Sequence, residues 1–270
     1  MKMDKVAVVT GAGRGIGREV AQRLAGRGYA VLATDVDVAA AQHTAETVGR
    51  GAWAMPQDVR DADGHRAVAA AATERGRLEV WVNNAGVLRA DKAWGHPDDD
   101  VRLMTEANLL GVIWGSRAAV DAMRAQDANG AGRHVINMAS MSSFGPVPGL
   151  AVYGASKHGV LGFSGSLQGD LHDSGVPISV HAVCPDAVKT DMVHERDHEP
   201  DAAIIWSAPR MLEPSEVADR IVELLDSRRV VLVIPRWRGW LTRAIGMAPR
   251  AAMPMIGPLK RLGERQRRQG

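Results

Sequence analysis

Tyr153 and Lys157 stand four residues apart in a stretch of helical character, so their side chains share one face. A phenol has a reference pKa of about 10 and is a poor base at neutral pH. A neighbouring ammonium favours the phenolate and pulls that value down, which makes such a pair a device for proton transfer. Taken alone, Tyr-x-x-x-Lys also describes many solvated helix faces. Ser140 lies thirteen residues before Tyr153, just past a short apolar run, and Asn83-Asn84-Ala85-Gly86 closes another. Both segments are expected at the carboxyl edge of a sheet, where open α/β folds bind ligands.

A second chemical signal is Thr10-Gly11-Ala12-Gly13-Arg14-Gly15-Ile16-Gly17, after an apolar run and before an amphipathic one. Glycines let the backbone approach a phosphate, and the following helix N-terminus offers free N–H groups and a positive dipole end. The spacing is Thr-Gly-x-x-x-Gly-x-Gly, not G-x-G-x-x-G, because position 16 is isoleucine. The other reading is a turn whose glycines serve tight packing alone. Asp35 follows Gly17 by eighteen residues at the end of the next apolar run. A carboxylate there can accept hydrogen bonds from both ribose hydroxyls and repel a 2′-phosphate, which predicts NAD(H) in preference to NADP(H). It can also cap the next helix, although Asp37 can do that instead. Arg14 pulls the other way, since a cation in the loop can meet a 2′-phosphate.

These residues need a scaffold. Apolar runs at Val6–Val9, Ala30–Ala33, Ala52–Met55, Glu79–Val82, Val135–Met138, Ile178–Val183 and Val230–Ile234 read as strands. Amphipathic stretches at 16–27, 39–48, 62–75, 98–124 and 152–172 read as helices. Seven strands alternating with helices predict an α/β single domain: a doubly wound parallel sheet covered on both faces. Lys189–Glu213 lacks clear periodicity and reads as a mobile loop over a pocket. Of the 270 residues, 46% are hydrophobic and 24% charged, and the formal charge is +2, an ordinary soluble balance with no pull toward nucleic acid. Cys184 is the one cysteine, which fits a reducing cytoplasm. The apolar run near the N-terminus is too short for a signal peptide, and no spanning segment is expected.

In combination, Thr10–Gly17, Asp58, Asn83–Gly86, Asn108, Ser140, Tyr153, Lys157 and the Pro185…Thr190 element resemble the short-chain dehydrogenase/reductase family in its form of roughly 250 residues, over about residues 4–235. The resemblance implies a Rossmann-type fold and a hydride transfer between a nicotinamide dinucleotide and an alcohol or ketone. It makes Tyr153 the general acid/base, Ser140 the group that polarises the substrate oxygen, and Lys157 the ligand of the nicotinamide ribose. Asn108 would position a water in a proton relay with Lys157. On the cofactor side it implies that the glycine loop, with Gly11, Arg14, Gly15, Ile16 and Gly17, binds the dinucleotide, with Asp35 at the ribose. Asp58 and Val59 would meet adenine, Asn84, Ala85 and Gly86 would line the channel, and Pro185 and Thr190 would meet nicotinamide. Asp186 departs from the pattern, because glycine usually follows that proline. It either points to solvent or contacts a polar group. The long helices around 109–123 and 152–171 imply a homodimer or homotetramer.

His194 and His198 are four apart, but no third metal ligand is evident, so no metal is expected. Met192, Val193, Ile204, Ile205, Trp206 and Met211 give the 189–213 loop an apolar face suited to a hydrophobic alcohol or ketone. Two other classes stay open: a dehydratase, isomerase or epimerase on the same scaffold, and a dinucleotide-binding protein without catalysis.

Residues 1–235 are thus expected to form the catalytic domain and 236–270 a basic amphipathic extension. That tail holds nine Lys/Arg and one acid, so it carries +8 and the remainder −6. Trp237, Trp240, Leu241, Ala244 and Ile245 fall on one helical face. Pro249, Pro254 and Pro258 are expected to interrupt any long helix, with a short basic one over Leu259–Arg268. The favoured reading folds the tail onto the substrate loop or a neighbouring subunit, with both tryptophans buried and the arginines solvated. The alternative is peripheral contact with an anionic membrane.

Overall fold

The computed structural model describes residues 5–126 and 132–267. Arg268, counted above with the tail, lies outside them, as do residues 1–4. Seven strands form one parallel sheet: β1 (Lys5–Thr10), β2 (Ala30–Asp35), β3 (Trp53–Pro56), β4 (Arg77–Asn83), β5 (Arg133–Met138), β6 (Ile178–Pro185) and β7 (Val231–Ile234). Their order is β3-β2-β1-β4-β5-β6-β7. The direction of winding reverses between β1 and β4, so a crevice opens there at the carboxyl ends of the strands.

The helices are α1 (Gly15–Gly26), α2 (Val38–Val48), α3 (Ala62–Arg75), α4 (Asp98–Thr105), α5 (Gly111–Gln126), α6 (Ala151–Asp173), α7 (Asp191–His194), α8 (Pro214–Val222), α9 (Arg236–Met247) and α10 (Pro249–Arg267). Successive strand residues point to opposite faces. Ala7 and Val9 of β1 therefore join Val20 and Leu24 of α1 and Val217 and Ile221 of α8. Val6 and Val8 join Val68 and Ala72 of α3 and Ala119 and Met123 of α5 on the other face. The doubly wound parallel sheet is as the sequence predicts.

Three local expectations are corrected. The single helix over 98–124 is interrupted by a π-helical turn at Glu106–Leu110, with Asn108 buried inside it. The 189–213 segment is not structureless: it holds α7 and a 3₁₀ run at Pro200–Ser207. The prolines do not break the tail, since α10 runs continuously with Pro254 and Pro258 inside it. An interior proline removes one helical hydrogen bond. Here long-range packing offsets that loss. Gly263 lies so close to Ala203 that a Cβ would strike its carbonyl oxygen, Lys260 Nζ is 3.3 Å from Asp201, and Arg267 donates to the Glu199 carbonyl at 3.0 Å. Among the described residues, no helix is long and apolar enough to cross a membrane.

Candidate active site

The glycine loop is fixed from the β4 side. Thr10 Oγ1 accepts from the backbone N–H groups of Asn84 and Ala85, both at 3.1 Å. Asn84 Nδ2 donates to the carbonyls of Thr10 at 2.9 Å and Gly11 at 3.0 Å. Gly11 has φ +62°, and a Cβ there would lie 2.7 Å from Ala85 Cα. A Cβ on Gly17 would strike the Gly11 carbonyl oxygen. Glycine is thus required at both positions by close backbone approach. Ile16 packs against the core between them. The helix that follows has no side-chain cap and no acid in its first turn. Its N–H groups and dipole are left to meet an anion from outside.

Asp35 ends β2 beside this loop, and its carboxylate accepts from Gly13 N at 2.9 Å and Asp37 N at 3.1 Å. Asp37 is the residue that caps α2, by accepting from Ala40 N at 3.1 Å. Arg14 of the loop is ion-paired. Its exposed guanidinium reaches across to Glu195 at 3.0 Å and Asp191 at 3.4 Å. On the same side, a Cβ on Gly15 would be 3.3 Å from Thr190 Cγ2, so the loop and the start of α7 face each other closely. Asp58 is held by Arg60 Nη2 at 2.5 Å, and that guanidinium keeps its carboxyl below the usual carboxylate range. The Val59 carbonyl is taken by His65 Nε2 at 2.9 Å.

Ser140 follows β5 and opens a 3₁₀ turn at Met141–Ser143. Its Oγ accepts from Ser142 N at 3.2 Å, and its own N–H donates to Ser143 Oγ at 3.3 Å. Ser143 Oγ in turn donates to the Lys157 carbonyl at 2.8 Å, which ties the turn to α6. Tyr153 and Lys157 lie on one face of α6, the Nζ 5.8 Å from the phenol ring centroid. Lys157 is buried and donates to the Met138 carbonyl at 2.7 Å.

The expected depression of the tyrosine pKa is not what this arrangement gives. Burial pushes the Tyr153 phenol up, and the Ser140 hydroxyl opposes that only in part. Burial also lowers Lys157 to about 8. Both shifts have one cause, since a desolvated environment disfavours phenolate and ammonium alike.

The Asn108 side chain, buried in the π-turn, bonds across to Val87 and Ser156. Oδ1 accepts from Val87 N at 2.7 Å, and Nδ2 donates to the Val87 carbonyl at 2.8 Å and to Ser156 Oγ at 3.3 Å. A Cβ on Gly86 would sit 2.9 Å from Asn108 Oδ1 and 3.7 Å from Lys157 Nζ, so Gly86 separates the two.

Pro185 closes β6, opposite Ile234 of β7. Asp186 does not point to solvent. Its carboxylate meets Arg238 Nε of α9 at 2.7 Å, with the side chains only 12% and 20% exposed. Burial nevertheless holds Asp186 above the usual carboxylate range, against the pull of Arg238. Thr190 Oγ1 donates to the Val188 carbonyl at 3.4 Å.

Several contributors escaped sequence reasoning. Asp191, Glu195 and Ser143 carry no sequence motif that marks them out. A buried polar chain also braces β4 and β5 behind the site: Trp81 Nε1 donates to Asn83 Oδ1 at 2.7 Å, Asn83 Nδ2 to Asn137 Oδ1 at 2.8 Å, and Asn137 Nδ2 to Ser164 Oγ at 3.0 Å. The one available signal was an asparagine inside the otherwise apolar run at 135–138.

Residues 5–201 match the family model described as short chain dehydrogenase. A 3-oxoacyl-(acyl-carrier-protein) reductase FabG of Vibrio cholerae is 32% identical over 223 residues, covering 82% of this chain and 89% of that protein. A diacetyl reductase ((S)-acetoin forming) of Staphylococcus epidermidis is 31% identical, covering 81% and 90%. The probable oxidoreductase EphD of Mycobacterium tuberculosis is 32% identical over 244 residues, but the chain spans only 40% of its length. The crystal structure of a short chain dehydrogenase/reductase from Burkholderia phymatum in complex with NAD superposes with a TM-score of 0.81 at 27% identity, covering 89% of this chain and 92% of that one.

Proposed function

The chain belongs to the short-chain dehydrogenase/reductase family of oxidoreductases, and from that premise we propose that it interconverts a secondary alcohol and a ketone on a hydrophobic small molecule. One observation carries the reading. Ser140 at the end of β5 and the Tyr153–Lys157 face of α6 are joined through Ser143, at the same carboxyl edge as the glycine cradle.

The cradle fits a nicotinamide dinucleotide. Gly11 and Gly17 let the loop fold tightly back on itself ahead of α1, with Ile16 fixing the turn against the core, and the uncapped start of α1 would offer its free N–H groups to a pyrophosphate. Asp35 would take the adenosine ribose, which favours NAD(H) over NADP(H). Arg14, engaged by Glu195 and Asp191, would close the loop against α7 and not greet a 2′-phosphate. Asp58 and Val59 would border the adenine, Asn84, Ala85 and Gly86 the channel, and Pro185 and Thr190 the nicotinamide end. The dinucleotide supplies or accepts the hydride.

The chain's own part is positioning and proton transfer. Ser140 Oγ would hold the substrate oxygen. Tyr153 would exchange the proton at that oxygen. Lys157 would hold ribose hydroxyls and, when charged, draw the phenol pKa down from its raised value. Asn108 would position a water in a proton relay with Lys157, with its side chain also holding the π-turn and Gly86 in place. Residues 1–235 would form the catalytic domain and 236–270 an extension that braces the substrate segment. Assembly through α5 and α6 into a dimer or tetramer fits the family's habit.

The test is Tyr153→Phe. Nicotinamide absorbance, followed with a panel of secondary alcohols and ketones, should show turnover falling by about 10²–10⁴-fold, with NADH affinity by titration nearly unchanged. A variant that retains more than about a tenth of the rate removes Tyr153 from the acid/base role. Substrate conversion without net change in absorbance would favour an isomerase or dehydratase instead.

A further inference from the structure

Helix α9 is mounted with its apolar face outward. The side turned to the protein body carries Arg238, Gly239, Thr242, Arg243 and Gly246. Arg238 pairs with Asp186, and Arg243 lies 4.2 Å over the Phe144 ring. Gly239 is buried against Val233, and Gly246 fits so tightly that a Cβ would strike the Phe144 carbonyl oxygen. The side turned to water carries Trp237, Trp240, Leu241 and Met247, which are 56%, 69%, 50% and 86% exposed. Met253 and Leu262 of α10 are exposed as well. Within one chain the tryptophans of α9 are therefore exposed, while Arg238 and Arg243 face the body. Arg238 and Arg243 are fixed inward, so the helix cannot rotate its indoles into the core without breaking a buried ion pair. Exposed large apolar side chains gathered on one helix face mark a candidate interaction surface.

The charges around the patch select its partner. From Ser227 to Gly263 the sequence has eight Lys/Arg and no Asp or Glu. Arg236, Arg250, Arg261 and Arg265 are exposed, and none forms an ion pair among the described residues. A second copy would bring the same uncompensated positive charge to an isologous contact. Exposed tryptophans flanked by free arginines instead match a bilayer, whose headgroup region suits the amphipathic indole and whose anionic lipids attract the cations. We propose that α9, with the basic residues around it and on α10, docks this protein peripherally on anionic lipid. α9 packs beside the Met141–Ser143 turn next to Ser140, and α10 packs on the Pro200–Ser207 run. Docking would therefore hold the candidate pocket close to the bilayer surface, where an apolar alcohol or ketone partitions.

Sedimentation of the full chain with vesicles tests this without any assay of turnover. Phosphatidylcholine vesicles are compared with phosphatidylcholine–phosphatidylglycerol vesicles, at low and high salt. Two double variants, Trp237→Ser/Trp240→Ser and Arg236→Glu/Arg250→Glu, accompany the native sequence. Their substituted side chains are exposed, and NADH affinity and unfolding temperature report whether each still folds. The native protein should pellet with the anionic vesicles at low salt, release at high salt and bind neutral vesicles at least about tenfold less. Each folded double variant should lose about tenfold or more of the anionic binding. Four results overturn the proposal: no pelleting with anionic vesicles, equal binding to neutral ones, full binding by a folded tryptophan variant, or a native oligomer that dissociates in that variant. The last would assign the face to a second copy.

Discussion

Replacing Arg238 by alanine strips Asp186 of the one side-chain cation paired with it among the described residues, while leaving the carboxylate buried at the end of β6. Breaking a fully buried pair costs roughly 3–5 kcal/mol, because the remaining charge is uncompensated. Here the side chains keep 12% and 20% of their exposure, which lets some water in and brings the expected loss to about 2–4 kcal/mol near neutral pH. For a chain of this size that corresponds to an unfolding temperature lower by about 5–12 °C. The pH dependence identifies the cause. Burial already raises Asp186 in the folded state, so the fold binds its proton more tightly than the unfolded chain does. The contribution of this carboxyl is therefore most favourable in acid and is lost as pH rises through the folded pKa. Removal of Arg238 raises that pKa further. The gap between native protein and Arg238→Ala should be widest at neutral to alkaline pH and shrink as pH falls and the variant's carboxyl takes up a proton. Urea unfolding across this range measures it, with Asp186→Asn/Arg238→Ala as the control that removes the charge altogether. The double variant should recover at least half of the loss. A pH-independent gap, or a double variant no more stable than the single one, would refute the reasoning.

Lys157→Met should separate stability from activity. The lysine is lowered to about 8 from 10.5, so its charged form is disfavoured in the fold; stability is reduced below pH 8 and regained between there and its unfolded value. After allowance for the lost bond to Met138, the variant should gain about 1–2 kcal/mol at pH 7 by urea unfolding while turnover collapses. A variant less stable than native at that pH contradicts this. Asp35→Ser should shift the ratio of NADPH to NADH affinity toward NADPH by about tenfold or more, by removing like charge from the 2′-phosphate position; native protein that already titrates more tightly with NADPH sinks the assignment. Arg14→Ala breaks two exposed ion pairs worth less than about 1 kcal/mol together. The unfolding midpoint should barely move, while amide exchange at residues 191–196 speeds up several-fold. Unchanged protection there would mean that α7 is held by something else.

What the sequence determined by itself was everything encoded over short spans. Glycines at 11, 15 and 17 announce a strand–turn–helix because their spacing acts within one turn. Tyr153 and Lys157 announce a shared face because four residues make one turn of helix. The alternation of apolar runs and amphipathic stretches dictates a doubly wound sheet, which puts Asn83–Gly86, Ser140 and Pro185 at one edge. Tertiary structure alone decided what depends on partners far along the chain. Arg14 could be read as a loose cation until Glu195, 181 residues on, took it up. Asp186 could be read as solvated until Arg238 of α9 closed over it. The tail shows the limit most plainly. Its hydrophobic period correctly marked one face of a helix but could not say which face would be buried. That choice was made by Gly239, Gly246 and the Asp186–Arg238 pair, which let the backbone approach the body closely. The prolines of α10 were likewise outweighed by packing on Pro200–Ser207, because local propensity costs a few kcal/mol at most and long-range contacts can exceed it.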